Sequence, residues 1–110
     1  MKEIRVYLHR HHAADVVRAL ENAGFHDFRV MDVKEPLRAG DAYAQDCTLE
    51  LGTRMVTRVR LELMCEDRHV LVATKLIARH ARMDQSDTGW IYVSEISFAI
   101  SINDHADDPG

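Results

Sequence analysis

Alternation of apolar and polar side chains opens the chain. Ile4, Val6 and Leu8 are separated by Arg5 and Tyr7 and followed by His9, the two-residue period of a strand with one buried face. The period then changes: Val16, Ala19, Leu20 and Ala23 recur at i, i+3, i+4 and i+7, which sets them along one stripe of a helix over roughly 12–23. Gly24 ends that helix as its C-terminal cap, because glycine enters the left-handed region without steric penalty. From Phe25 to Lys34 the pattern is strand-like again, with Phe28 and Val30 on one face and Met31 and Val33 on the other.

The second half repeats the order. Val59, Leu61, Leu63 and Cys65 alternate with Arg58, Arg60, Glu62 and Met64 in the clearest strand of the sequence. Glu66 and Asp67 stand where carboxylates favour a helix start, and Val70, Ala73, Thr74, Ile77 and Ala81 trace the buried stripe of a helix ending near Arg82. A polar stretch from Met83 to Gly89 leads to a short strand, Trp90 to Val93. Ile96, Phe98, Ile100 and Ile102 then alternate with small or polar residues in a last strand. Two β-α-β halves in one chain predict an α+β fold, a ferredoxin-like split β-α-β sandwich with two helices on one face of an antiparallel sheet plus a C-terminal strand. Nothing in the chain is left to cover the other face, where Tyr7, Met31, Trp90 and Tyr92 fall, and self-association is the simplest remedy.

Between the halves lies a long polar insertion, Glu35 to Met55. Compact domains rarely carry a structureless connection of more than about 12–15 residues unless it binds something or is disordered. This loop, about 35–55, is therefore where partners are expected, with Gly40, Tyr43, Cys47 and Leu51 as its contact residues.

With 110 residues, 46% of them apolar and 29% charged, the chain suits one soluble globular domain, 1–103. An acidic tail, 104–110, is expected to fray and contributes much of the net charge of −4. Absence of a long apolar run excludes membrane insertion, and the alternating start Met1-Lys2-Glu3-Ile4 does not suit a secretory leader, so a cytoplasmic location is expected. Lys and Arg are dispersed among acidic residues, which argues against nucleic acid. Cys47 and Cys65 differ in context and read as reduced thiols, Cys65 as a small buried hydrophobe.

Candidate chemistry is sparse. Tyr43, Cys47 and Thr48 have no histidine nearby and no glycine-flanked serine elbow occurs, so no enzyme is expected. His9, His11 and His12 cluster at the first strand-to-helix junction, but Arg10 repels a cation there and the spacing matches no helical metal pair; a solvated junction is the preferred reading, with no metal site. Asp84 and Asp87 fall short of a calcium loop and read as a solvated turn.

The opening Met1-Lys2-x-Ile4, the helix Asp15-Val16-x-x-Ala19-Leu20-x-x-x-Gly24, Val33-Lys34 before the insertion, Val59-x-Leu61-Glu62-Leu63 after it and Gly89-x-Ile91-Tyr92-Val93 together resemble the P-II signalling proteins, from Met1 to about Asn103 without a gap. The resemblance implies a non-enzymatic regulator. It also implies a homotrimer whose sheets face a central axis, adenine nucleotides (ATP, ADP or AMP) and 2-oxoglutarate as effectors, and a loop that grips a protein target, a transporter or metabolic enzyme. On this chain it places ligand contacts at Arg38, Arg58, Glu62, Arg82 and Gly89, the arginines acting as charge clamps.

Departures from the family pattern alter the expected ligand. Of the family's glycine-rich phosphate loop only Gly89 remains, Asp84 and Asp87 add negative charge, and Trp90 stands at the lysine position. Ser101 and Asn103 replace two phosphate-binding arginines, and Ala39 replaces the glutamine that helps hold metal and 2-oxoglutarate. Each lost charge-assisted hydrogen bond is worth about 1.5–3 kcal/mol, so weakened binding of ATP and 2-oxoglutarate is expected. Leu51 stands where some bacterial members carry a modified tyrosine, and Tyr43 does not occupy that position. Two rivals remain: a trimeric metal-binding protein similar to CutA, in which the histidines and cysteines carry function, and an architectural trimer that docks a partner without a ligand.

Overall fold

The computed structural model describes residues 1–37, 47–50, 52–82 and 89–105. Its elements run β1 (Lys2–Leu8), α1 (Arg10–Asn22), β2 (Phe28–Pro36), β3 (Cys47–Glu50), β4 (Thr53–Cys65), α2 (Val70–Ala81), β5 (Ile91–Glu95) and α3 (Ile102–His105), with a 3-10 turn, Asp67–His69, leading into α2. The sheet order is β2-β4-β1-β5, every pairing is antiparallel, and β3 pairs with β4. This is the split β-α-β arrangement.

Period-2 alternation decides which residues meet the helices. Ile4, Val6 and Leu8 on β1 and Val59, Leu61, Leu63 and Cys65 on β4 are buried with Val16 and Leu20 of α1 and Ala73 and Ile77 of α2 in one core. Each fully buried Leu or Ile contributes about 1.5–3 kcal/mol relative to exposure. At the end of α1, Phe25 N–H donates to Leu20 C=O at 2.9 Å and Gly24 N–H to Glu21 C=O at 3.0 Å, with Gly24 at φ +93°. That paired pattern closes the helix and needs a residue free to take positive φ.

Three expectations change. The helix expected over 12–23 starts earlier, at Arg10, directly after His9. The last strand expected from Ile96 to Ile102 does not form: 96–101 have no regular structure and α3 follows. A strand is a pairing, and after Ile96 N–H donates to Met1 C=O at 3.0 Å no further edge among the described residues meets this segment, where Phe98, Ile100 and Ile102 are exposed. The short strand expected over Trp90 to Val93 instead covers Ile91–Glu95.

The long insertion is not wholly structureless. β2 continues to Pro36, Leu37 N–H donates to Arg54 C=O at 2.9 Å, and β3 lies against the start of β4 with Cys47 opposite Val56. Because β1 meets β4 only from Val59 to Cys65, the first part of β4 projects past it with β2 and β3 as an arm about 20 Å long at ~3.3 Å per residue. Gly40, Tyr43 and Leu51 lie outside the described residues, as does 106–110 of the expected tail.

Candidate functional site

Two places at the arm-bearing end of the sheet carry chemistry. The first is on the helix-covered side, where the end of α2 passes the start of β5. Val6, Ala78, Ala81, Arg82, Gly89, Trp90 and Ile91 line an open cleft of about 180 Å³. Its floor is apolar because Val6 and Ile91 are cross-strand partners facing the helices. Arg82 supplies the cation among the described lining residues, Trp90 is 76% exposed at the rim, and Gly89 takes φ +79°, a backbone turn that L side chains resist.

The second place is on the opposite side of the sheet, at the root of the arm. Arg58 is a buried charge: Nε donates to Glu35 Oε1 at 3.0 Å and Nη1 donates to Nδ1 of His9 at 2.8 Å. The three side chains come from the end of β2, the middle of β4 and the residue between β1 and α1, so one guanidinium ties three elements where the arm leaves the core.

From there the helix-free face continues as a band of charge and aromatic rings. Arg60 Nη2 lies 2.7 Å from Glu62 Oε1, and Glu62 faces Arg5 on β1 and Arg29 on β2. The Arg5 guanidinium lies 5.7 Å from the centre of the Tyr92 ring, which meets Tyr7 edge-on at 6.5 Å. The Nε atoms of Arg5 and Arg60 are buried with no hydrogen-bond partner. Tyr7, Met31 and Tyr92 fall on this face as the alternation predicts, whereas Trp90, expected with them, precedes β5 and lines the cleft on the helix-covered side; arginines and glutamates lie between the three, so the face is not simply greasy.

The residues expected at one ligand therefore divide within a single chain. Arg82 and Gly89 line the cleft, Arg58 and Glu62 lie on the other side of the sheet, and Arg38 is outside the described residues. Sequence reading missed Glu35 and His9 as partners of Arg58; they are separated from it by 23 and 49 positions, and only the sheet register joins them. His9 was expected in a solvated junction and is instead half-buried against Arg58, while His11 is exposed. Among the described residues no group of three metal-ligating side chains comes together. Burial, and then the Asp67 carboxylate, push the Cys65 thiol above its ordinary range, which suits a packing residue and not a nucleophile.

This fold and chain span coincide with those of one class of regulatory protein. The family model for nitrogen regulatory protein P-II matches residues 1–106, and the chain belongs to that family of signal-transduction proteins. The family is generally non-enzymatic, binds adenine nucleotides and typically forms trimers that act on target proteins. A search of curated protein sequences finds no significant match. Among the described residues no helix is long and apolar enough to cross a membrane.

Proposed function

We propose that the protein is a homotrimeric, non-catalytic P-II switch in which a small anionic ligand sets the state of the arm and the arm engages a transporter or enzyme. The observation that carries this reading is the arm itself, a strand extension whose root is tied to the core by one buried arginine. A ligand that binds one arm arrangement more tightly than another shifts the population between them.

The cleft supports a planar ring more readily than a triphosphate. Its apolar floor suits a nucleobase, but Arg82 is the cation among its described lining residues, and a further phosphate finds no second cation among them. AMP and ADP then lose less than ATP relative to an arginine- and lysine-rich site. Assembly through the helix-free face is supported by the exposed Tyr92 beside the half-buried Tyr7, apolar rings that a second copy would cover.

Calorimetry with AMP, ADP and ATP, paired with light scattering, tests the reading. A mass near three times 12.6 kDa, with nucleotide affinity that falls in Arg82→Ala, supports it. A monomer that binds none of the three nucleotides overturns it.

A further inference from the structure

The contact between Arg58 and His9 fixes a protonation state. A guanidinium has donors and no acceptor, so the His9 Nδ1 that lies 2.8 Å from Arg58 Nη1 must be a bare, accepting nitrogen. His9 is then a neutral imidazole with its proton on Nε2. Protonating Nδ1 would remove the acceptor and set two cations against each other at hydrogen-bond distance, in a place where Arg58 has little access to water.

The local backbone agrees with that assignment. His9 holds the N-cap position of α1 with extended φ −67° and ψ 145°, and its carbonyl accepts from His12 N–H at 3.0 Å, yet its ring makes no capping bond. By sequence and strand register, the charged or titratable described residues set nearest it include Arg58 and Arg60 on β4, Glu35 on β2, Tyr7 on β1, and Arg10, His11 and His12 on α1. Glu35 accepts from Arg58 Nε at 3.0 Å. Arg58 thus bonds a carboxylate and a neutral base, and of these two the imidazole is the one whose ordinary titration lies nearest neutrality.

We propose that His9, Arg58 and Glu35 form a proton-operated clasp that couples the start of α1 to the root of the arm: closed when His9 is neutral, and released when it takes up a proton. His9 acts here as a positioning residue for Arg58. The clasp is fully present while the imidazole is neutral and is lost as pH falls through its protonation. The inference goes beyond nucleotide sensing and does not require it, because the proton is itself the effector.

Nitrogen-15 NMR of the imidazoles and pH-dependent amide exchange in the full chain test the clasp. At pH 7.5 His9 is expected as the neutral Nε2–H tautomer. Exchange at Glu35, Leu37 and Val56, corrected for its intrinsic pH dependence, is expected to accelerate at least about tenfold between pH 7.5 and 5.5. His9→Asn, which offers an amide oxygen at every pH, should lose most of that acceleration. An Nδ1–H or imidazolium form of His9 at pH 7.5 overturns the proposal, as does equal acceleration in wild type and variant. The tautomer measurement needs only the wild type, so the test stands even if the variant fails to fold.

Discussion

The two faces of β4 meet opposite fates. On one, Leu61 and Leu63 are fully buried beneath α1 and α2. On the other, Arg60 and Glu62 keep 29% and 16% of their side-chain surface, with arginines and tyrosines around them and no helix over them among the described residues. The first face completes its burial within one subunit, so its contribution to folding is independent of any partner. The second is half-desolvated, a state in which polar groups have lost water without gaining all their bonds. The contrast separates what folds this protein from what it offers to others.

The sharpest way to break that contrast is on the covered face. Leu61→Ala should cost about 2.7–5 kcal/mol of unfolding free energy, because it leaves a cavity between sheet and helices that cannot fully collapse. Denaturant unfolding at fixed protein concentration measures this. A loss below about 1 kcal/mol would mean that the helix layer is not packed as described.

Next in size is Arg58→Ala, at the junction between the open face and the arm. It removes a buried charge but strands Glu35, whose side chain is 21% exposed and therefore partly rescued by water. A loss of about 1–3 kcal/mol is expected, with exchange at Glu35 and Val56 rising more than at Leu61. Uniform acceleration throughout the sheet would show that Arg58 serves the core and not the arm.

Legibility in the sequence follows the same division. The covered face declared itself through period 2 in β1 and β4 and through the i, i+3, i+4 stripes of both helices, because all these residues answer to one core. The alternation at Ile96 to Ile102 is just as regular, yet it forms no strand, since pattern describes a side chain's preferred surroundings and not whether a neighbouring edge exists. The opposite failure is β3: Cys47–Glu50 is short and lies in a polar insertion, and it becomes a strand because the projecting edge of β4 is there to pair with. For the site, Arg82 and Gly89 were readable as a group because they flank one polar stretch of sequence, 83–88. The bond from Arg58 to His9 was not, as it depends on β1 ending at Leu8, opposite Val59.

A smaller effect on unfolding, with a large one on assembly, is expected at Tyr92. Tyr92 is 46% exposed, meets Tyr7 edge-on and has the Arg5 guanidinium over its ring, a cation that a glutamate can also face, so Tyr92→Glu should change the stability of the single chain by no more than about 0.5 kcal/mol. If the open face is where copies meet, the added charge should move the light-scattering mass toward that of one subunit. An unchanged assembly would exclude this part of the face from the contact.

The weakest expected effect lies at the far end of the core, where the chain start is tied to the entrance of α2. The Met1 ammonium lies 3.0 Å from Asp67 Oδ1, and that bond, with Lys2 adding to it against slight desolvation, holds the Asp67 carboxyl below its ordinary range. A depressed carboxylate adds stability above its ordinary value of 3.8 and loses it as pH falls through the lowered one. Both groups are well exposed, so the contribution is small and screened by salt. Asp67→Asn should therefore lower Tm slightly at pH 6 and low ionic strength, with the gap to wild type closing on acidification to about pH 2 and on addition of ~1 M salt. A gap that persists under both conditions would trace the effect to the 3-10 turn at Asp67–His69 and not to the charge pair.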